Sequence, residues 1–224
     1  MDSNLLTIQN LTFGWGEEPL FANICCQLNT GEIAQLKGEN GAGKTTLLQL
    51  MTGMIPHFQR GKILSGNILV YGKSIFKSSP KHFFPTIAFI PGVHLELFLL
   101  TENLYQEMLF CSAILNIPRS DINARRDEFS GFFPIIADIM HEPFVALDRA
   151  QKVLALTFIF FLQGATLFLF DEELNAFDDQ QRQQWLAFFQ MLKSKQRTVV
   201  FVSHHIDVPT DAVWLIKHQR LELR

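Results

Sequence analysis

The sequence predicts an α/β fold: a parallel sheet core, an antiparallel β layer ahead of it, and a helical subdomain inserted within it. Three stretches carry this reading. The first is Gly38-Glu39-Asn40-Gly41-Ala42-Gly43-Lys44-Thr45-Thr46, a glycine-rich turn. It follows a short alternating segment, residues 33–37, and precedes a helical apolar stripe over 45–51 that stops near Gly53 and Pro56. The second is Leu167-Phe168-Leu169-Phe170, which ends in the paired acids Asp171-Glu172. The third is Thr198-Val199-Val200-Phe201-Val202, which ends in Ser203-His204-His205. Short, wholly apolar runs of this kind read as strands buried on both faces, the habit of parallel sheets.

The glycine-rich turn fits the pattern G-x-x-x-x-G-K-[ST], with Gly38, Gly43, Lys44 and Thr45 at the fixed positions. Glycines let the backbone turn tightly, so that several amide N–H groups point into one concavity. A helix N-terminus adds partial positive charge there. Lys44 is placed to reach β- and γ-phosphates, and the Thr45 hydroxyl to ligate Mg²⁺. At the end of the 167–170 strand, where α/β sheets bind ligands, Asp171 can hold Mg²⁺ through water and Glu172 can polarise an attacking water. His204, at the end of another core strand, is placed to contact a γ-phosphate.

Bulk composition agrees with one domain of this class. The chain has 224 residues, enough for a sizeable α/β domain with an insertion. Apolar residues make up 48% and charged residues 18%, which is globular rather than disordered. Net charge is −3, which leaves no basic footprint, and no nucleic-acid partner is expected. Cys25, Cys26 and Cys111 are an odd count with two adjacent; they read as buried thiols in a reducing compartment, not as a disulfide framework. The first residues carry no basic region and no long apolar run, so no signal peptide is expected. Residues 153–170 are very apolar, but Gln163-Gly164-Ala165-Thr166 interrupts them before they reach the length of a membrane span. A buried helix, a turn and a buried strand are predicted there, and no transmembrane helix.

In chain order, residues 5–36 alternate apolar and polar, with turn signals at Gly14-Trp15-Gly16 and Asn29-Thr30-Gly31, and read as short strands. Trp15, on its glycine-flanked turn, can stack on an adenine ring through its π-face, with Phe13 as the alternative. Residues 63–72 read as a strand of the same layer, 74–82 as a turn around Pro80, and 87–90 as a strand that stops at Pro91-Gly92. Residues 102–115 are predicted to be helical with Thr101 as N-cap. From 118 to about 146, residues such as Phe129, Phe132, Phe133, Ile135 and Phe144 crowd a segment with little charge. They read as core or, where exposed, as a docking surface. Residues 178–193 form an amphipathic helix with Trp185, Leu186, Phe188, Phe189 and Leu192 inward, and 212–216 with 220–223 form a closing hairpin.

Together these residues resemble the ATP-binding subunits of ABC transporters, from about Leu5 to Leu223. Gly38 to Thr46 looks like the Walker A motif, and Leu167 to Glu172 like Walker B with its catalytic glutamate. Asn175-Ala176-Phe177-Asp178 resembles the D-loop, His204 matches the switch histidine, and Trp15 sits where the family places its adenine-stacking aromatic. The short single-domain form is similar to heme-export ATPases of cytochrome maturation, as it is to many other subunits. The resemblance implies a P-loop NTPase fold with a RecA-like parallel core. Residues 1–90 and 147–224 would be the nucleotide-binding core with its β layer, and 91–146 the helical subdomain that receives coupling helices. It implies ATP and Mg²⁺ as cofactors, Lys44, Glu172 and His204 as catalytic residues, and Thr45 with Asp171 on the metal. It also implies integral membrane transporter subunits as partners, and a second ABC ATPase subunit, identical or different, closing head to tail. The place implied is peripheral, on the cytoplasmic side of the membrane. An alternative within the family is a regulatory or structural ATP-binding subunit with little hydrolysis of its own, paired with an intact ATPase. Soluble ABC ATPases of DNA repair or translation carry coiled-coil insertions or two cassettes, which this length does not match, and a P-loop kinase would lack the tandem acids.

Two motifs depart from the family pattern. Counting back from Asp171, the signature Leu-Ser-Gly-Gly-Gln falls on Leu147-Asp148-Arg149-Ala150-Gln151, where only the leucine and glutamine agree. Asp148 would bring negative charge toward a phosphate, at a cost on the order of 4 kcal/mol at 4 Å and an effective dielectric of 20, unless Arg149 turns inward. After Phe89-Ile90-Pro91 the family's Q-loop glutamine is replaced by Gly92, and no glutamine follows until Gln106. Glu173 also stands where a proline is common. A weak signature face and a partner-dependent ATPase are expected.

Overall fold

The computed structural model describes residues 4–93, 95, 99–171, 178–202 and 209–223. The first layer is an antiparallel sheet of β1 (Asn4–Gly14), β2 (Phe21–Asn29), β4 (Lys62–Val70) and β5 (Lys73–Ser74), in the order β2-β1-β4-β5. In β2 the two-residue period is plain: Ile24, Cys26 and Leu28 are buried, while Cys25 and Gln27 face solvent. This corrects one expectation, because Cys25 is exposed and only Cys26 and Cys111 are buried. Burial pushes the Cys26 thiol well above its ordinary range, so it behaves as a small apolar residue.

The second sheet holds β3 (Ile33–Gly38), β6 (Ile87–Ile90), β7 (Leu167–Phe170), β8 (Thr198–Val202), β9 (Ala212–Lys217) and β10 (Arg220–Leu223), in the order β10-β9-β3-β8-β7-β6. All its neighbours run parallel except β10, which closes the hairpin on β9. Its two faces are both buried, by different residues. Leu167, Leu169, Val200 and Val202 join α1 (Lys44–Thr52) and the antiparallel sheet in one core. Phe168, Phe170, Val199 and Phe201 join the helices in another. A short helix, α2 (Met54–His57), follows α1 after Gly53.

Four α-helices lie between β6 and β7 among the described residues, α3 (Leu104–Leu115), α4 (Arg119–Phe132), α5 (Ile136–Ile139) and α6 (Arg149–Gln163), with α7 (Asp179–Ser194) before β8. The aromatics of α4 and its C-terminal end are core, not a docking patch. Phe129 and Phe133 lie within 4.8–5.6 Å, centroid to centroid, of rings on α6 and α7, including Phe158, Trp185 and Phe188. Exposed apolar area sits instead on α3, where Tyr105, Leu109, Phe110 and Ile114 face outward. The N-cap of α3 is Asn103, whose side chain accepts from the Gln106 N–H; Thr101 instead donates its hydroxyl to the Glu107 carboxylate at 2.9 Å. At the far end of α6, Gly164 takes the left-handed conformation (φ 86°) and ends the helix, which makes the buried helix, turn and strand expected over 153–170. Among the described residues, no helix is long and apolar enough to cross a membrane.

Asp211 ties the strand that leads into the glycine-rich loop to its neighbour. Its Oδ2 accepts the Ile33 N–H at 2.9 Å, its own N–H donates to the Ile33 carbonyl, and Lys193 donates to its other oxygen. Partial burial raises its pKa, but the Lys193 hydrogen bond, the Ile33 N–H and the Lys193 charge outweigh it and hold the carboxyl below its ordinary value. A depressed folded value stabilises the fold above the unfolded pKa, and the benefit is lost as pH falls through the folded one. Asp211→Ala should therefore cost about 1–3 kcal/mol at pH 7. The difference from the parent should shrink below about pH 4 in urea melts, and Asp211→Asn, which keeps an acceptor for Ile33, should cost less.

Candidate functional site

The carboxyl ends of β3, β8, β7 and β6 lie along one edge of the parallel sheet, as Leu36↔Val202, Phe170↔Phe201 and Ile90↔Phe170 pair in register. Residues 38–46 turn from β3 into α1 at this edge. Gly43 is the N-cap of α1 and is left-handed, with φ 99°. A Cβ there would stand 2.8 Å from the Phe21 ring and 3.0 Å from Leu20. Only glycine satisfies both demands, and β2 thereby backs the loop directly. The loop closes through Ala42 N–H to the Glu39 carbonyl at 3.1 Å.

Lys44 is buried, and its Nζ donates to the carbonyls of Gly38 and Glu39, each at 3.1 Å. The Thr45 hydroxyl donates to Asp171 Oδ1 at 3.1 Å, across 126 residues of sequence. Asp171, also buried, is anchored by its own N–H on the Ile90 carbonyl at 3.0 Å. These are hard oxygen donors, and no group of three or more His, Cys, Asp or Glu stands ready to cage a metal among the described residues. That donor set suits Mg²⁺, which takes few protein ligands and fills the rest with phosphate and water.

A cleft of about 480 Å³ opens beside the loop. Asn40, Gly41, Gly43, Lys44, Thr45 and Thr46 line it, with Trp15 and Leu20 from the β1–β2 turn. Trp15 is half exposed and rests edge-on against Phe13, with ring centroids 5.2 Å apart. Phe13 itself is fully buried, so it supports Trp15 and offers no platform to a ligand. Gly38, Glu39 and Ala42 face a larger cleft, about 680 Å³, between the loop and the β9–β10 turn; neither Lys44 nor Thr45 lines it. Glu172, His204, Glu173 and residues 175–177 lie outside the described residues. Asp178 is described, as the N-cap of α7.

The residues at the expected signature and Q-loop positions make local contacts of their own. Asp148 is the N-cap of α6: its Oδ1 accepts the Gln151 N–H at 2.8 Å, and Gln151 Oε1 accepts the Asp148 N–H at 3.0 Å. Both side chains are used in this reciprocal capping box. Arg149 Nη2 donates to the Gly92 carbonyl at 2.6 Å, which ties α6 to the loop after β6. Gln106 caps the start of α3, accepting the Glu102 N–H, and does not reach the site. Leu20, Phe21 and Ile90 support the site and carry no motif of their own; only their place next to turns marks them.

The ABC transporter family matches residues 21–200. The ABC transporter ATP-binding protein ModF of Escherichia coli is 30% identical over 223 residues, covering 97% of this chain and 44% of the relative. The cytochrome c biogenesis ATP-binding export protein CcmA of Xanthomonas campestris is 36% identical over 101 residues, 45% of this chain and 44% of the relative. The matches thus span less than half the length of these curated relatives. A solved ATP-binding subunit of an ABC transporter superposes with a TM-score of 0.84 at 18% identity, over 98% of this chain and 89% of that one. CbiO1 of Clostridium perfringens, described as part of the ABC transporter complex CbiONQ, superposes with a TM-score of 0.80 at 21% identity, over 99% and 88%. The chain belongs to the ABC transporter family, and its fold is that of the family's ATP-binding domains.

Gly43→Ala should lower stability by about 1–3 kcal/mol, since it adds both strain and a clash. Gly41→Ala, where φ is also positive (81°) but no atom lies near the added Cβ, should cost less. Thermal melts of the two variants beside the parent test the ranking.

Proposed function

We propose that this chain is an ATP-binding subunit that couples MgATP binding and hydrolysis to movement of membrane subunits. The observation that carries the reading is the Thr45–Asp171 contact beside the buried Lys44. Backbone N–H groups over residues 38–46 and Lys44 would hold the phosphates, and Trp15 would stack on the adenine. Thr45 and Asp171 would hold Mg²⁺, which when bound offsets phosphate charge during transfer. Glu172 orients the attacking water and His204 contacts the terminal phosphate.

The proposed partners are membrane subunits and a second ABC ATPase subunit, with this chain peripheral on the cytoplasmic side. The exposed apolar face of α3 and the groove beside it, about 460 Å³, support docking of a membrane-subunit helix. The helical segment 91–146 is proposed as the subdomain that receives it. The capping box of Asp148 favours the narrower reading, in which hydrolysis is weak or partner-dependent. The α6 N-terminus already has its own carboxylate, so it is poorly suited to a partner's phosphate.

Lys44→Ala should weaken ATP binding by at least tenfold, about 1.4 kcal/mol, in a titration with a fluorescent ATP analogue. Turnover of the purified chain should be slow beside its affinity. Unchanged affinity in Lys44→Ala would sink the nucleotide reading; brisk turnover of the chain alone, abolished in Glu172→Gln, would sink only the partner-dependent one.

A further inference from the structure

The groove beside α3 is apolar over most of its walls. Phe84, Phe110 and Ile114 form its exposed lips, and Phe83 and Phe160 line it as well. One part differs. Glu107, on α3, is only 2% exposed yet lines the groove. Its Oε2 accepts three hydrogen bonds at 2.9 Å, from the N–H groups of Leu100 and Thr101 and from the Thr101 hydroxyl. Among the described residues, its Oε1 meets only the Cys111 thiol, 3.9 Å away. Burial pushes that thiol up to about 11, so it remains a neutral, weak donor. Gln163 Nε2 lies 3.1 Å from the same sulfur, and its Oε1, buried, has no hydrogen-bond partner among the described residues.

No Lys, Arg or His among the described residues forms an ion pair with Glu107. Lys81, the groove's other charged lining residue among those described, belongs to the 80–82 turn and is exposed. Buried carboxylates are as a rule paired or fully hydrogen-bonded. Here one oxygen anchors the loop before α3, and the other meets the sulfur that Gln163 also contacts, with all three residues lining the apolar groove. A lysine fits such a place: its methylene stem lies along apolar walls and its ammonium supplies three donors.

We propose that the groove docks an amphipathic helix of a membrane subunit that carries a lysine on its apolar face, and that Glu107 Oε1, helped by Gln163 Oε1, receives that ammonium. The inference rests on the docking reading above and adds the chemistry that selects the partner.

The test uses the full chain and two amphipathic helical peptides that differ at one central position of the apolar face, lysine in one and norleucine in the other. By fluorescence anisotropy the lysine peptide should bind about tenfold more tightly. Glu107→Gln keeps an acceptor for Leu100 and Thr101 and should bring the two peptides to equal affinity. Ile114→Asp should weaken both, which locates them in the groove. Equal or tighter binding of the norleucine peptide to the parent chain overturns the lysine inference and leaves the docking reading standing. Binding of neither peptide, or binding that Ile114→Asp does not weaken, overturns both. The peptide pair on the parent chain decides the matter even if Glu107→Gln does not fold.

Discussion

The register of the parallel sheet is the constraint on which the site depends. Thr45 and Asp171 are far apart in sequence, and they meet because β3 pairs with β8, and β8 with β7, at fixed positions. That register is enforced by packing. Along β7, phenylalanines face the helices and leucines face α1 and the antiparallel layer. A slip of one residue would exchange the two sets and put large rings where small ones fit. The same slip would carry Asp171 away from Thr45. Buried size complementarity, rather than any interaction at the site itself, therefore sets the geometry of the donor pair.

The antiparallel layer is part of this arrangement and not a cover over it. Phe21 and Leu20 fill the space that a side chain at position 43 would need, and so hold the loop against α1. Phe13, from the neighbouring strand, packs against Phe21 and carries Trp15 on its edge. One aromatic cluster thus backs the glycine-rich loop and sets the only aromatic that lines the cleft beside Lys44 among the described residues. A change in the layer would be felt both at the glycine-rich loop and at Trp15.

Local signals made much of this legible. The glycine-rich motif, the doubly buried strands and the closing hairpin depend on spacing and period, and both are written in the chain. What was not legible depends on partners distant in sequence. Phe129 and Phe133 look no different from the exposed Phe110 until α6 and α7 are in place to cover them. Thr101 has the chemistry of an N-cap, but the buried carboxylate of Glu107 draws its hydroxyl and leaves Asn103 to cap α3. Cys25 and Cys26 are adjacent, and only the pleat decides which one is buried. Glu172 and His204 follow directly from strands whose ends are placed, yet they lie outside the described residues, so their roles rest on sequence.

The start of α6 joins these threads. An open helix N-terminus offers unpaired N–H donors and partial positive charge, which suits an anion from another molecule. Here the anion is internal: the Asp148 carboxylate takes the Gln151 N–H, and Gln151 turns back to take the Asp148 N–H. The next residue acts on the other side. Arg149 holds the Gly92 carbonyl, in the loop that follows Ile90, and the Ile90 carbonyl holds the Asp171 N–H. Glycine stands where the resemblance implies a glutamine, and its carbonyl is held by the Arg149 guanidinium. The sequence Asp148-Arg149 therefore does two things at once. It caps the Gln151 N–H from within the chain, and it fastens the helical segment to the strand that positions the buried acid. Replacing the aspartate alone would reopen the helix end while leaving that fastening in place, so the two effects are separable by substitution.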